Sequence, residues 1–521
     1  MTEVNQQRIA KNTLLLYVRM VLVMLVGLYT SSVIIDALGK VHYGIYDAVG
    51  GIVLMVSFVS STMSGATQRY YSYEMGKNNP EELRKVFCLS FTVFVILTTI
   101  VILLAETAGL WFLNHKMDVD GNTEAAQWVF QFSIISFSMC VLRVPYEAMV
   151  VAKEKMKVYA YLSLFEVFAS LGIAILMSHT YDDKNHRLIL YAALMAGIQL
   201  ITLLFYLTYC RLFYQECRFR FTMDKEKFKE IFAYAGWNMI GSCAGVFEKA
   251  GLNLLLNITF GPITSAARAV ANKVNSTITQ LNNNFFTAVR PQIYKSYAAG
   301  EIKDMHKLVC QSSRFSFFLL MILVLPIMLE MDFILPIWLK GRNVPELAGI
   351  FTKLMILEAL LNCFTEPLAS AAQATGNIRD YKLIIGGTFL LVLPISYIGL
   401  KFFNLPAESV FIVGVVLTVV NQIQRIWFAK KLVNLDILYF LRTVVLPVVI
   451  VSAVSISLSL AIRFWMMSIP FNYAWIGHAI VILASMFFVC LSFYIFGMVK
   501  SERKHAFEIV RSIIGSKKTD K

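Results

Sequence analysis

The sequence predicts an all-α integral membrane protein of about 14 transmembrane helices, arranged as two six-helix lobes related by an internal repeat with two C-terminal helices appended. Three observations carry that expectation. The chain is 58% hydrophobic, only 15% charged, and has a mean hydropathy of +0.65, outside the composition of soluble globular domains. Its lysines and arginines fall in alternate loops between long apolar runs. The chain also aligns with itself at a shift of 222 residues, the signature of a duplicated unit.

The apolar runs are of membrane-crossing length, as in FTVFVILTTIVILLA from Phe91 and WIGHAIVILASMFFVCLSFYIFGMV from Trp475. At about 20 residues per crossing, spans start near residues 13, 44, 84, 125, 157, 187, 231, 265, 306, 346, 380, 406, 440 and 475. No small-residue cleavage site follows a short apolar core near Arg8 and Lys11, so the first run is expected to be a retained helix. Roughly 30 basic residues lie in one set of loops against about 8 in the other, which orients the chain. Both termini are expected to be cytoplasmic, in a multi-pass protein of a bacterial cytoplasmic (inner) membrane.

The net charge of +14 is spread through these loops, not gathered on one segment as a nucleic-acid binder would require. Eight cysteines show no CxxC spacing and no companion histidines, so they read as small core residues. The largest loop, near 211–230, suits a linker with a short interfacial helix, MDKEKFKEIF. The expected organisation is an N-terminal lobe over 1–212, a cytoplasmic linker over 213–230, a C-terminal lobe over 231–431, spans 13 and 14 over 432–499, and a basic tail over 500–521. That tail reads either as an amphipathic helix on anionic lipid, through Phe507, Val510, Ile513 and Ile514, or as a frayed end.

The repeat pairs Pro145 with Pro367, Ala152 with Ala374, Tyr159 with Tyr381 and Gly39 with Gly261, and sets Ser57, Ser60 and Ser61 against Thr279, Asn282 and Asn283. Six spans per repeat make the two lobes parallel. Lobes of this kind can rock about a midplane site, which favours a transporter.

Polar residues inside the spans locate that site. In span 8, Arg268, Asn272, Asn275, Thr279 and Asn282 step by four and three and share a face, while Val270, Val274, Ile278, Leu281 and Phe285 cover another. Span 7 repeats the theme with Asn238, Ser242, Gly245, Lys249, Asn253 and Asn257. Such stripes suit a hydrated cavity; interhelical hydrogen bonding is the alternative for the amides. Charge at bilayer depth costs several kcal/mol unless paired, hydrated or snorkelling. Arg19 and Arg143 fall in the cytoplasmic half, and Lys249, Arg268 and Lys273 in the outer half, so an anionic headgroup such as a diphosphate has cations at both depths.

Arg69, Arg290, Arg425 and Arg463 lie near span ends and read as snorkelling or topogenic residues. The embedded carboxylates Glu147, Glu166, Glu248, Glu358 and Glu366 are candidates for ion coupling or for pairing with local cations. His478 reads as a hydrogen-bonded core residue. No catalytic constellation, metal cluster, cofactor motif or phosphate-cradling loop is visible, which points away from an enzyme.

The segments LYVRMVLVMLVGLYTSSVIIDALGKVHYGIYDAVGGIV from Leu16, GATQRYYSYEMGKNNPEELRKVF from Gly65, AARAVANKVNSTITQLNNNFFTAVRPQIYKSYAAGE and QATGNIRDY closely resemble polysaccharide-biosynthesis membrane proteins. These are the O-antigen repeat-unit flippases of the multidrug/oligosaccharidyl-lipid/polysaccharide (MOP) exporter superfamily. The resemblance implies a two-lobed transporter with a V-shaped cavity, whose partner is an undecaprenyl-diphosphate-linked oligosaccharide and whose neighbours include polysaccharide polymerase machinery. It implies cavity roles for Arg19, Lys249, Arg268 and Lys273. A drug or metabolite antiporter of the same superfamily is the competing expectation, and needs an embedded acid as its coupling site.

Overall fold

The computed structural model describes residues 57–116, 123–179, 183–218, 224–338, 347–469, 474–499 and 502–503, and, within 15–46, residues 15–16, 18–27, 29–30, 33–34, 36–38, 42 and 46. Among these there is no strand. The first helix, α1 (Val18–Gly27), precedes α2 (Ser57–Gly76) and α3 (Pro80–Leu104), which passes through a π turn into α4 (Leu110–Lys116). Next come α5 (Thr123–Ala152), α6 (Met156–His179), α7 (Lys184–Phe213), α8 (Lys225–Phe260), α9 (Pro262–Ala298), α10 (Ile302–Leu329) and α11 (Met331–Trp338). A 3₁₀ turn joins α12 (Ala348–Leu361) to α13 (Thr365–Ala374), followed by α14 (Arg379–Phe402) and α15 (Ser409–Val433). Then α16 (Ile437–Phe440) leads through a π turn into α17 (Leu446–Met467), and α18 (Ala474–Ser492) closes the series.

Eleven of the described helical segments are long and apolar enough to cross a bilayer. They coincide with eleven of the expected spans. The other three are α1, whose described part is short, the span expected from residue 44, of which α2 holds only the part from Ser57, and α9, whose composition is too polar. The protein is thus an all-α, multi-pass membrane protein. Local chemistry sets several boundaries: Asn79 accepts from Glu82 N at 3.2 Å, with Pro80 opening α3, and Asp183 accepts from Asn185 N at 3.0 Å to cap α7. The expected separate interfacial helix is absent. Asp224 accepts from the amides of Glu226 and Lys227, both at 3.1 Å, and with no proline after this cap the helix propagates unbroken into span 7 as α8. The basic N-terminus, Gly39, the side chains of Ser57, Ser60, Ser61 and Asn257, and the tail from Lys504 lie outside the described residues.

Two compact units divide the chain, one holding Ala10–Ser242 with Tyr294–Gly300 and the other Cys243–Ile293 with the chain from Glu301 onward. The first has a core built on Phe94, Val129, Phe130, Val141, Met177 and Leu188. The second is centred on Leu256, Ala271, Phe318, Val324, Phe351 and Ile356, and it includes Val448, Val451 and Val489 of the appended helices. Those helices pack on α10. There Arg314, buried, donates through Nη2 to both carboxylate oxygens of Glu502, at 2.5 and 2.6 Å, and through Nη1 to Thr443 O at 3.2 Å.

The packing order repeats. In the first unit α5 packs on α7, α6 on α7 and α3 on α5; in the second α12 and α13 pack on α15, α14 on α15, and α10 on α12 and α13. Backbone conformation repeats as well. Asn78 (φ 54°) and Gly300 (φ 76°), and Glu154 (φ 60°) and Gly376 (φ 83°), are left-handed residues separated by the repeat shift. Each terminates a helix, where a left-handed residue lets freed carbonyls find amide donors. Glu154 holds that conformation while its carboxylate, nearly covered, pairs with Lys295.

This equivalence predicts substitution tolerance at residue 300. Because its counterpart is an asparagine, Gly300→Asn should leave thermal stability in detergent nearly unchanged. Gly300→Val should lower it by about 1–2 kcal/mol. Equal melting temperatures for the two variants would contradict the left-handed assignment.

Candidate functional site

Helix α9 turns its apolar stripe inward as expected: Val270, Val274, Ile278 and Leu281 join the core of the second unit, and Phe285 is buried. The polar face divides. Steps of seven residues bring Arg268 and Asn282 into the interior, at 3% and 9% exposure, and leave Asn275 half-buried with an unpartnered Oδ1. Ser316 donates to Asn282 Oδ1. Asn272 and Thr279, on the adjoining edge of the expected stripe, are exposed instead. The reason is angular: a stripe of five residues spaced by four and three spreads across the boundary of the buried arc.

Outside that boundary α9 exposes Ala269, Asn272, Lys273, Ser276, Thr279, Gln280 and Asn283. By contrast, α14 exposes Leu383, Ile384, Leu390, Leu391, Ile395 and Ile398, a surface suited to acyl chains. Leaving amides without partners in hydrocarbon costs several kcal/mol each, so the exposed face of α9 must be hydrated. Lys273 makes no hydrogen bond or ion pair through its ammonium among the described residues, and is free to meet an anion there.

Beside this face lies a group of four charges. Arg268 donates from Nη2 to Lys249 O at 2.9 Å, while its Nε and Nη1, both buried, have no partner. Glu248 lies within electrostatic range of Arg268 and Glu358, and Glu358 within range of Lys249. Thr418 donates to Glu358 Oε1 at 3.3 Å. Two of the five candidate coupling carboxylates are therefore neighbours, and two of the five candidate substrate cations are the charges in range of them.

The first unit combines its candidates in the same way. Arg143 on α5 contacts Glu147 at 3.4 Å, pairs directly with Glu166 and reaches Gln199 Oε1 at 3.3 Å. Arg19 donates to Ser163 Oγ and sits 4.5 Å over the Tyr159 ring. Two arginines meet two carboxylates, and the group balances. Arg143 is thus held by protein carboxylates, which the spacing of the sequence did not reveal because Glu166 lies on another helix.

Three of the four arginines expected to snorkel or serve topology hold structured positions inside the protein. Arg69 is 3% exposed and stacks against Tyr70, Tyr73 and Tyr234, at 4.5, 5.0 and 5.2 Å. Arg425 is 6% exposed and donates from Nη1 to the Tyr381 hydroxyl. Arg290 donates from Nε to Glu366 Oε2 at 3.1 Å and pairs through Nη2 with the same oxygen. Aromatic and carboxylate partners, on the same helix as well as on others, replace the lipid phosphates that sequence position suggested. The fourth, Arg463, donates to Glu330 at 3.1 Å; that carboxylate, 1% exposed, also holds His478, whose ring stacks 4.0 Å from Phe333.

Comparison with known proteins agrees with this architecture. Residues 239–398 match the family model described as MatE. No curated protein matches the chain. Among solved structures it is similar to a MATE transporter in complex with MaD3S (TM-score 0.68, 14% identity, covering 82% of this chain and 97% of that one). It is similar also to the outward-facing conformation of a multidrug resistance MATE family transporter of the MOP superfamily (TM-score 0.69, 14% identity, 84% and 99% covered). A third is a MOP superfamily transporter from Pyrococcus furiosus described as having a binding pocket of reverse polarity (TM-score 0.66, 13% identity, 81% and 96% covered). At such identities the likeness carries the fold, which is that of MATE transporters.

The balance around Arg143 is testable by stability. Removing the guanidinium in Arg143→Met strands Glu147 and Glu166 and should cost about 3 kcal/mol or more. Adding Glu166→Gln to that variant should recover part of the loss in thermal unfolding of the purified protein. Additive losses would show that the residues are not coupled.

Proposed function

We propose that this chain is a flippase that carries a lipid-diphosphate-linked oligosaccharide, a polysaccharide repeat unit, across a bacterial cytoplasmic membrane by alternating access. The observation that carries this reading is the exposed face of α9, rich in amides and hydroxyls, free of carboxylates, and bearing Lys273 next to the partly unpartnered Arg268. Sugar hydroxyls need many adaptable donors and acceptors, which Asn272, Ser276, Thr279, Gln280 and Asn283 supply. A diphosphate needs cations, and guanidinium nitrogens in a low-dielectric setting bind phosphate oxygens strongly. The hydrated face continues along the helix, so a headgroup has polar contacts while its lipid tail stays in hydrocarbon.

Arg19 and Arg143 contribute less to this reading than their positions in the sequence suggested, since carboxylates balance their group. The headgroup role falls chiefly to Lys249, Arg268 and Lys273. Asn275 supports them from the half-buried edge.

A second reading, an ion-coupled multidrug or metabolite antiporter, is favoured by the proximity of Glu248 and Glu358. An inorganic cation entering there would compete with Lys249 and Arg268 for the same carboxylates, which couples ion binding to release of an anion from those cations. The same pair therefore serves either cargo.

The two readings separate in cells. With protein levels kept normal, Arg268→Ala combined with Lys273→Ala should leave lipid-linked repeat units accumulating on the cytoplasmic leaflet, with surface polysaccharide reduced at least about tenfold. Unchanged surface polysaccharide, together with loss of ion-driven efflux of a cationic dye in Glu248→Gln, would overturn the flippase in favour of the antiporter.

A further inference from the structure

A second polar cluster lies on α9, α13, α14 and α15, well away from the hydrated face. Arg290 is 22 residues beyond Arg268, about 33 Å along the helix axis, close to the whole hydrocarbon thickness. Arg290 pairs with Glu366 of α13. Glu366 also feels Arg425 and Lys382, and Lys382 feels Arg290 and Arg425. At the centre Tyr381 accepts from Arg425 Nη1 and lies 5.6 Å from that guanidinium and 6.0 Å from the Lys382 ammonium. Its ring is held edge-on against Phe428, at 5.4 Å.

The repeat shows what is peculiar here. Tyr381 is the counterpart of Tyr159, which also carries an arginine on its ring. Around Tyr159 two arginines meet two carboxylates. Around Tyr381 three cations, Arg290, Lys382 and Arg425, share one carboxylate. The residue standing where the first unit has Glu166 is Thr388, whose hydroxyl is taken up by Ile384 O, at 3.0 Å, and by Gln424. A phenol neutralises nothing, so among the described residues the three cations carry two positive charges more than this one carboxylate offsets.

Unbalanced charge at this depth is costly unless a counter-ion completes it. The polar groups nearby are also incompletely satisfied. Arg425 Nε is buried without a partner, and one turn earlier on the same face Asn421, 1% exposed, has neither amide atom hydrogen-bonded. Arg290, Glu366 and Lys382 are only partly covered, which leaves the cluster open on one side. Tyr381 and Lys382 stand in the first turn of α14, where free amides add to the positive field.

We propose that Arg290, Lys382 and Arg425, arranged around Tyr381 and Glu366, form a binding site for a phosphate-class oxyanion. The anion supplies the negative charge that Glu366 alone does not. It is carried either by an anionic lipid headgroup or by free phosphate in solution. The site does not depend on the identity of the transported cargo.

The test uses the full-length protein in phosphatidylcholine nanodiscs, with monodispersity checked for every variant. Binding of radiolabelled inorganic phosphate reads the soluble source, and retention of added phosphatidylglycerol in native mass spectrometry reads the lipid source. At least one probe should bind the wild type, and Lys382→Gln should weaken that binding by about tenfold or more. Glu366→Gln, which removes the competing carboxylate, should strengthen it, a direction that simple structural damage does not produce. Failure of both probes to bind the wild type, equal binding by wild type and Lys382→Gln, or weakened binding by Glu366→Gln overturns the proposal.

Discussion

A charge or an unpaired amide in hydrocarbon must be compensated from within the protein, by water or by a ligand, and this constraint orders the molecule. It explains why Arg143 gathers Glu147, Glu166 and Gln199 from three helices, and why Arg314 on α10 reaches to Glu502 beyond α18. It explains as well why the exposed surface of α14 is leucine and isoleucine while that of α9 is asparagine, serine, threonine and glutamine. Each compensating pair ties together elements distant in the chain, so the same constraint that places charge also fastens helices to one another.

The duplicated architecture keeps its backbone and varies its charge. Left-handed helix ends recur at Asn78 and Gly300 and at Glu154 and Gly376, and a tyrosine with an arginine on it recurs at Tyr159 and Tyr381. Steric rules for ending a helix bind both lobes alike. Electrostatics need not. Around Tyr159 the first unit balances Arg19 and Arg143 with two carboxylates, whereas among the described residues the second leaves cations in excess around Tyr381 and an unpaired ammonium at Lys273. The cations themselves are not repeated, since Arg290, Lys382 and Arg425 stand where the first unit has Gln68, Ala160 and Leu203, so the shared backbone carries a different set of charges in each unit.

For the proposed transport function, the arrangement around Arg268 brings opposing demands together. Glu248 and Glu358 lie within electrostatic range of Arg268 and Lys249, respectively. An anion must win those cations away from carboxylates, and a cation that occupies the carboxylates makes this easier. In the function proposed for this chain, substrate binding and ion binding would be coupled through shared partners, without any long pathway. The MATE fold accommodates this because polar residues can be placed on α8 and α9 without weakening the apolar core beneath them.

The apolar runs were enough to place eleven of the fourteen expected spans, since every backbone polar group in a bilayer must be satisfied within its own helix and about twenty apolar residues achieve this. The shift pairing Tyr159 with Tyr381 was likewise readable as identity at fixed separation. The inward stripe of α9, Val270 through Phe285, followed from helical geometry. Pairing was not legible. Arg425 reads as a span-end residue because its tyrosine partner Tyr381 lies on another helix, Arg69 because Tyr234 of α8 completes a cage that Tyr70 and Tyr73 only begin, and Arg143 reads as available because Glu166 is on the next helix. A one-dimensional pattern specifies which faces are apolar, because that depends on the helix alone. Which cations are neutralised and which remain for an anion depends on distances across helices, and only packing in three dimensions decides them.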